Sequence, residues 1–109
     1  MGWLVVDGTA VAPLEMAETR AERRRGLLGR EGIEGAMLLR PARSVHTIGM
    51  RFAIDVAHLD ADMVVISLVT MVPWRVGRWR RHAHQVIEAD AGAMQRWGIA
   101  PGVRVEVTA

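Results

Sequence analysis

The chain opens on an apolar run, Trp3 to Val6, followed by Asp7-Gly8 and a second extended stretch from Thr9 to Met16. That order predicts two strands joined by a hairpin turn, with Pro13 toward a sheet edge. A helix follows. Thr19 is a good N-cap, and Glu22 three residues on completes a capping box. Gly29 is the expected left-handed stop. Ala21, Leu27 and Leu28 are expected to face inward, and Arg20, Arg23 and Arg24 outward. Gly26 inside this helix implies that another backbone packs closely against it.

Gly35 to Leu39 reads as a short buried strand stopped by Pro41. Ser44 to Asp55 is mixed in polarity and fits no period. Val56 to Asp60 is expected as a strand and Asp60-Ala61-Asp62 as a turn. Met63 to Val72, rich in Val and Ile, has the pattern of a strand covered on both faces. Pro73 to Ala83 has no apolar period and reads as a long loop; His84 to Glu88 reads as a strand. Asp90 is placed as the N-cap of a second short helix, and Gly98, Ile99 and Pro101 as a Schellman-type stop. Val103, Val105 and Val107 alternate with Arg104 and Glu106, giving a closing strand. The sum is about seven short strands and two short helices: an α+β domain, predominantly β, forming a small barrel-like unit.

Composition adds limits. At 109 residues, 50% hydrophobic and 24% charged, the chain is one domain with a core of its own. Folding at this size buries roughly two-thirds of the unfolded surface. There is no Cys, hence no disulfide, no thiolate nucleophile and no Cys-based zinc site. The amino terminus lacks a basic n-region and the chain has no apolar run long enough for a membrane span, so a cytoplasmic protein with no membrane partner is expected. The isoelectric point of about 10.9 suggests nucleic acid, yet the net charge is only +2. All 14 basic residues are Arg, and nothing titrates between the amino terminus near pH 8 and Arg above 12. The basic residues are patchy instead. Five Arg against one Glu lie between Arg20 and Arg30, and four Arg with no acid between Arg75 and Arg81.

Several motifs together resemble the uncharacterised family called domain of unknown function 192. Glu22-Arg23-Arg24-Arg25-Gly26-Leu27-Leu28-Gly29-Arg30 is similar to its E-R-x-x-G-L-M-x-R segment. Gly35 with Met37-Leu38-Leu39, then Phe52-Ala53-Ile54-Asp55 for I-P-L-D, then Val86-Ile87-Glu88 with Ala91-Gly92, and last Gly98-Ile99-Ala100-Pro101-Gly102 follow in order. The chain departs from the pattern twice. His46-Thr47-Ile48-Gly49-Met50 stands where many relatives carry an aromatic-Met-Lys-Asn-Thr string, and Val103 replaces the acid of the final G-D. The resemblance implies a fold and candidate positions, with no reaction attached.

Chemistry concentrates between Ser44 and Asp55. His46, Thr47, Arg51 and Asp55 form a candidate polar cleft, with Arg23, Arg30 and Glu88 in support. The expected function is a non-enzymatic binding or accessory module for a small anionic or polar ligand or a partner segment. The alternative is a hydrolase or lyase pairing His46 with Asp55 while Arg51 clamps an anion. Opposed to both, Asp55 caps a turn or joins an ion pair, and Arg23 and Arg30 are structural. A further candidate is the loop with Trp74, Arg75, Arg78, Trp79, Arg80 and Arg81, whose aromatics and guanidinium groups suit a docked protein better than nucleic acid. The pairs His82/His84 and Asp60/Asp62 lack further ligands nearby, so neither a metal nor a cofactor is expected.

Overall fold

A computed structural model describes residues 2–108. Seven strands and two short helices follow one another: β1 (Gly2–Val6), β2 (Thr9–Ala17), α1 (Arg20–Arg25), β3 (Ala36–Leu39), β4 (Ile54–Leu59), β5 (Val65–Met71), β6 (Gln85–Asp90), α2 (Ala93–Arg96) and β7 (Val105–Thr108). They form one curled sheet in the order β5-β4-β6-β3-β2-β1-β7. Only β2 and β3 run parallel; every other pair is antiparallel. The two edges meet at one end. Val65 N–H donates to Val103 O at 2.9 Å, Val105 N–H to Met63 O at 3.0 Å and Gly102 N–H to Val65 O at 2.8 Å. A half-barrel closed at one corner results, the α+β, mostly β architecture that the strand spacing implies. No helix among the described residues is long and apolar enough to cross a membrane.

Turn chemistry sets the early register. Asp7 and Gly8 both take positive φ, 52° and 79°, the I′ geometry that matches strand twist. Pro13 lies just before the β2–β3 ladder begins at Leu14, where its missing N–H removes no bond to β3. Asp60 Oδ1 accepts from Asp62 N–H at 2.9 Å and Val64 N–H at 3.0 Å, an Asx turn leading into β5.

Alternate residues of the central strands feed two separate clusters. Leu4, Leu14, Leu38, Ala57, Leu59, Ile87 and Val105 fill the inside of the curl, closed by Met94 and Ile99 around α2. Met37, Leu39, Ile54, Val56 and Val86 face outward, beneath Leu27, Met50 and Met71. The irregular segments after α1, before β4 and after β5 cover this outer face. Every residue of β3 and β4 is buried, as is β6 up to Ala89.

Four expectations change. The run Met63 to Val72 is not covered on both faces: β5 is an edge strand whose ladder partner is β4, its other side bonded only at Val65 to the 102–103 segment, and Ile66 is 38% exposed. The doubly covered strand is β4, although it carries Asp55 and His58, and it starts at Ile54, before the predicted Val56. Helix α1 stops at Arg25, four residues before the predicted Gly29 stop, and none of its residues is buried, so Ala21 does not face a core. Leu27 does enter the core, but from the turn beyond the helix. Asp90 does not cap α2. Gly92 occupies that position, and Asp90 Oδ1 accepts from Ile33 N–H at 3.2 Å instead. The Schellman stop is as expected, with Ile99 N–H bonded to Met94 O at 2.9 Å and Gly98 N–H to Gln95 O at 3.1 Å.

Candidate functional site

The outer face of the sheet carries a cleft of about 330 Å³ where α1 and its following turn meet the segment before β4. Local sequence builds it. Thr19 Oγ1 accepts from Glu22 N–H at 3.1 Å while the Glu22 carboxylate accepts from Thr19 N–H at 3.0 Å. This reciprocal cap starts the helix in place. Gly26 then ends it at φ 46° and ψ −126°, a backbone state that side-chain-bearing residues avoid. That turn drops Leu27 into the outer core and leaves Arg20, Arg24 and Arg25 around the mouth. The close backbone approach expected at Gly26 is not there: a Cβ would make only ordinary contacts, 3.6 Å from Glu88 Oε1 and 3.7 Å from Arg23 O, and the glycine serves the backbone turn instead. Gly26→Ala is expected to destabilise the fold by about 1–3 kcal/mol, measured by urea unfolding, because of the backbone state more than the contact.

Glu88 forms the floor. It is 5% exposed, and its Oε1 has no hydrogen-bond partner. On β6 it projects outward with Val86, between Met37 on β3 and Val56 on β4, so its strand neighbours offer no charge. Burial pushes its carboxyl up to about 7. Leu28, Val45 and Met50 form apolar walls above it. His46 closes the opposite lip, exposed, with Nδ1 accepting from Ile48 N–H at 3.2 Å. Arg23 is tied back: its guanidinium donates to the carbonyls of Glu18 and Arg40.

The predicted site residues therefore divide. Arg23, His46 and Glu88 come together in the cleft; Thr47, Arg51, Asp55 and Arg30 do not line it. Thr47 is fully buried and pins the loop after β5: its hydroxyl donates to Val72 O at 2.7 Å and accepts from Arg75 N–H at 2.9 Å. Arg51 pairs with Glu31 at 2.7 Å on the open surface. Arg30 pairs with Glu15 through two bonds of 2.7 and 2.8 Å, which hold the Glu15 carboxyl below its ordinary range. Asp55 sits on the inner face of β4, where it accepts from Thr70 Oγ1 at 2.7 Å, Gly92 N–H at 2.9 Å and Met94 N–H at 3.2 Å. His46, Arg51 and Asp55 thus face three different surroundings, and an acid/base pair of His46 with Asp55 has no geometry here. Arg20 and Arg24, expected to face outward, form the rim together with Arg25, all three exposed.

The long loop between β5 and β6 presents Trp74 and Trp79 at 65% and 62% exposure. Trp74 holds φ 66°, rare for an aromatic residue. The Arg43 guanidinium lies 5.5 Å from the Trp79 ring centre, and Arg80 N–H donates to Arg43 O at 2.9 Å. Trp79, Arg80, Arg81, His82 and His84 border a second groove, with Asp60 and Asp62 on its far side. Among the described residues no three His, Asp or Glu side chains cluster as metal ligands would. Trp79→Ala is expected to lower stability by no more than about 1 kcal/mol, the size of an exposed cation–π pair. A larger loss in thermal melts would make Trp79 a core cover.

One buried group gave no sequence signal. His58 on β4 is 1% exposed, with Nδ1 3.3 Å from Ser67 Oγ and Nε2 without a partner. Burial, with the Arg80 charge adding to it, pushes the imidazole down to about 4.

The chain matches the family described as DUF192, Uncharacterized ACR, over residues 3–107. A UPF0127 protein of Pyrococcus furiosus is 35% identical over 63 residues, a stretch spanning 58% of this chain and 54% of that relative. A UPF0127 protein of Pyrococcus abyssi is 25% identical over 114 residues, 97% of each chain. Among solved structures, a protein of unknown function from Novosphingobium aromaticivorans superposes with a TM-score of 0.81 at 23% identity. That match covers 96% of this chain and 82% of that one. The structural likeness is one of fold.

Proposed function

The chain belongs to the DUF192 family, and from that premise we propose that it is a non-enzymatic binding module whose ligand, small and polar or anionic, occupies the cleft beneath α1. One observation carries this reading: Glu88, buried at the cleft floor with an unpartnered oxygen. A buried acid without a partner is unfavourable to the fold, and an apolar residue at this position would continue the pattern of Val86. Its retention is explained if a ligand supplies the missing partner. The cleft is at the small end of the range for ligand sites, and it combines apolar walls with a few converging polar groups.

Native mass spectrometry of freshly purified protein is expected to show a bound small molecule that is absent from the Glu88→Leu variant. NMR titration with inorganic phosphate is expected to move the amides of Arg24, Gly26, Leu28 and His46 together. Shifts confined to the loop after β5 would place the binding surface there and overturn the cleft.

A second reading rests on that loop, because two exposed Trp residues and four Arg offer a protein partner aromatic and guanidinium anchors. Under it, the double change Trp79→Ala with Arg80→Ala removes a partner contact and leaves melting nearly unchanged.

A further inference from the structure

The cleft is graded from mouth to floor. Its arginines are exposed or half-buried, the Leu28, Val45 and Met50 walls lie between, and the single acid is the most deeply placed polar group. We infer that the ligand is a small aliphatic molecule with an amino group at one end and a carboxylate or phosphate at the other. The amino group meets Glu88, the carbon chain lies along the apolar walls, and the anionic end sits among Arg20, Arg24 and Arg25. This rests on the reading of the cleft as the binding site and adds the chemistry of its occupant.

Each simpler ligand fails on one feature. A purely anionic molecule satisfies the rim but leaves Glu88 unpartnered, and its charge is repelled once the floor ionises. A purely cationic molecule matches Glu88 but must pass a mouth crowded with guanidinium groups. A neutral polar molecule uses neither end. Only the bipolar ligand meets both charges while its methylene groups cover the apolar walls. Arg23 takes no direct part, since its guanidinium is engaged by the carbonyls of Glu18 and Arg40. Among the described residues the ion pairs are Arg30 with Glu15 and Arg51 with Glu31, so Arg20, Arg24 and Arg25 enter none.

A cationic group on the floor favours the ionised carboxylate, so binding releases a proton wherever the empty Glu88 is still partly protonated. The charged and titratable groups that bear on it are Arg20, Arg23, Arg24 and Arg25 from α1, His46 from the opposite lip and, diagonally across the outer face of β4, the buried His58. Its directly paired neighbours, Met37 on β3 and Val56 on β4, are apolar. Affinity for an amino-terminated ligand therefore increases from pH 6 to pH 8.

NMR titrations of the intact chain with glycine, γ-aminobutyrate and ε-aminocaproate, each beside the matching carboxylate and the matching alkylamine, test this. At least one amino acid is expected to bind about tenfold or more tighter than both of its single-ended partners. The Glu88→Gln variant, shown to be folded by circular dichroism, is expected to lose that margin, as is Arg24→Gln with Arg25→Gln. If the carboxylates bind as tightly as the amino acids, and more tightly at pH 6 than at pH 8, the occupant is a plain anion. The inference then fails while the cleft stands as a binding site. If no compound of the three series moves the amides of Gly26, Leu28 or His46, the inference and the cleft reading fall together.

Discussion

Asp55→Ala is expected to lower the stability of this fold by about 3–4 kcal/mol, the largest loss from any single truncation considered. The carboxylate takes three donors at once: the Thr70 hydroxyl at 2.7 Å and the Gly92 and Met94 amides at 2.9 and 3.2 Å. The two amides belong to the start of α2, a helix of four residues whose N-cap is a glycine with no side chain to offer. Asp55 thus caps α2 across 37 and 39 residues of sequence and ties it to the middle of β4. Without it, the Met94 N–H is left unpartnered at a buried position, at about 1–3 kcal/mol. The cap bond to Gly92, an exposed residue, is lost as well, at about 1 kcal/mol. Thr70 is exposed and recovers a bond from water. Asp55→Asn is expected to fall between, because its amide oxygen still accepts from the Gly92 and Met94 amides without the charge that strengthens those bonds, while its NH₂ can donate to the Thr70 hydroxyl. Urea unfolding at pH 7 measures both; a loss below about 1 kcal/mol for Asp55→Ala would show that α2 is held by Met94 and Ile99 packing alone.

That same aspartate shows which parts of the molecule were legible in the sequence. Turn chemistry was plain because it is local: Asp7-Gly8, Asp60 to Asp62, and Gly98 with Ile99 each fold as their residues dictate. The capping box at Thr19 and Glu22 was equally local. Asp55 was recognisable as a family position, but its partners lie on β5 and α2, and linear proximity to His46 and Arg51 pointed to the wrong neighbours. His46 and Arg51 lie in the irregular segment before β4, whereas Asp55 points to the inner face of that strand, so proximity in sequence implied nothing about a shared cleft.

Burial was misread for a related reason. The Val- and Ile-rich β5 looked like the centre of the sheet and lies at its edge, whereas β4, interrupted by Asp55 and His58, is wholly buried. Pattern reading treats a polar residue in a strand as a mark of solvent. In β4 one polar side chain caps a helix, and the other is packed beneath the loop after β5. The cleft rim was not legible for another reason. Arg20 and Arg24 are exposed, as the helical pattern has them. The break at Gly26, which turns the chain over Glu88 and makes this exposed face the rim of a cleft, lies inside the helix expected to run to Gly29.

Glu88→Leu is expected to stabilise the protein at pH 8 by about 3 kcal/mol, and to leave it little changed near pH 4.5. The direction follows from proton binding. The folded carboxyl titrates at about 7 and the unfolded one near its ordinary 4.5. Between these values the folded state holds the extra proton, so wild-type stability is lost as pH rises through the window and the whole penalty is present above 7. A displacement of this size corresponds to about 3 kcal/mol, or roughly 10 °C in melting temperature for a domain of this length. His58 acts in the opposite sense. Its folded pKa of about 4 lies below the ordinary 6.5, so its buried ring is tolerated above pH 6.5 and stability is lost as pH falls toward 4. The two windows overlap, and the wild-type profile between pH 4.5 and 6.5 is therefore expected to be nearly flat. Glu88→Leu unmasks His58, giving stability that rises with pH. His58→Asn, which keeps a polar group beside Ser67, unmasks Glu88 and gives stability that falls with pH. Thermal melts across pH 4 to 8 on the three proteins decide the matter; parallel profiles would mean that neither group changes its proton affinity on folding. The two buried groups also part company in function. His58 does not line the cleft, whereas Glu88 opens into the cleft beside Gly26, so a gain in stability together with loss of ligand binding is expected from Glu88→Leu alone.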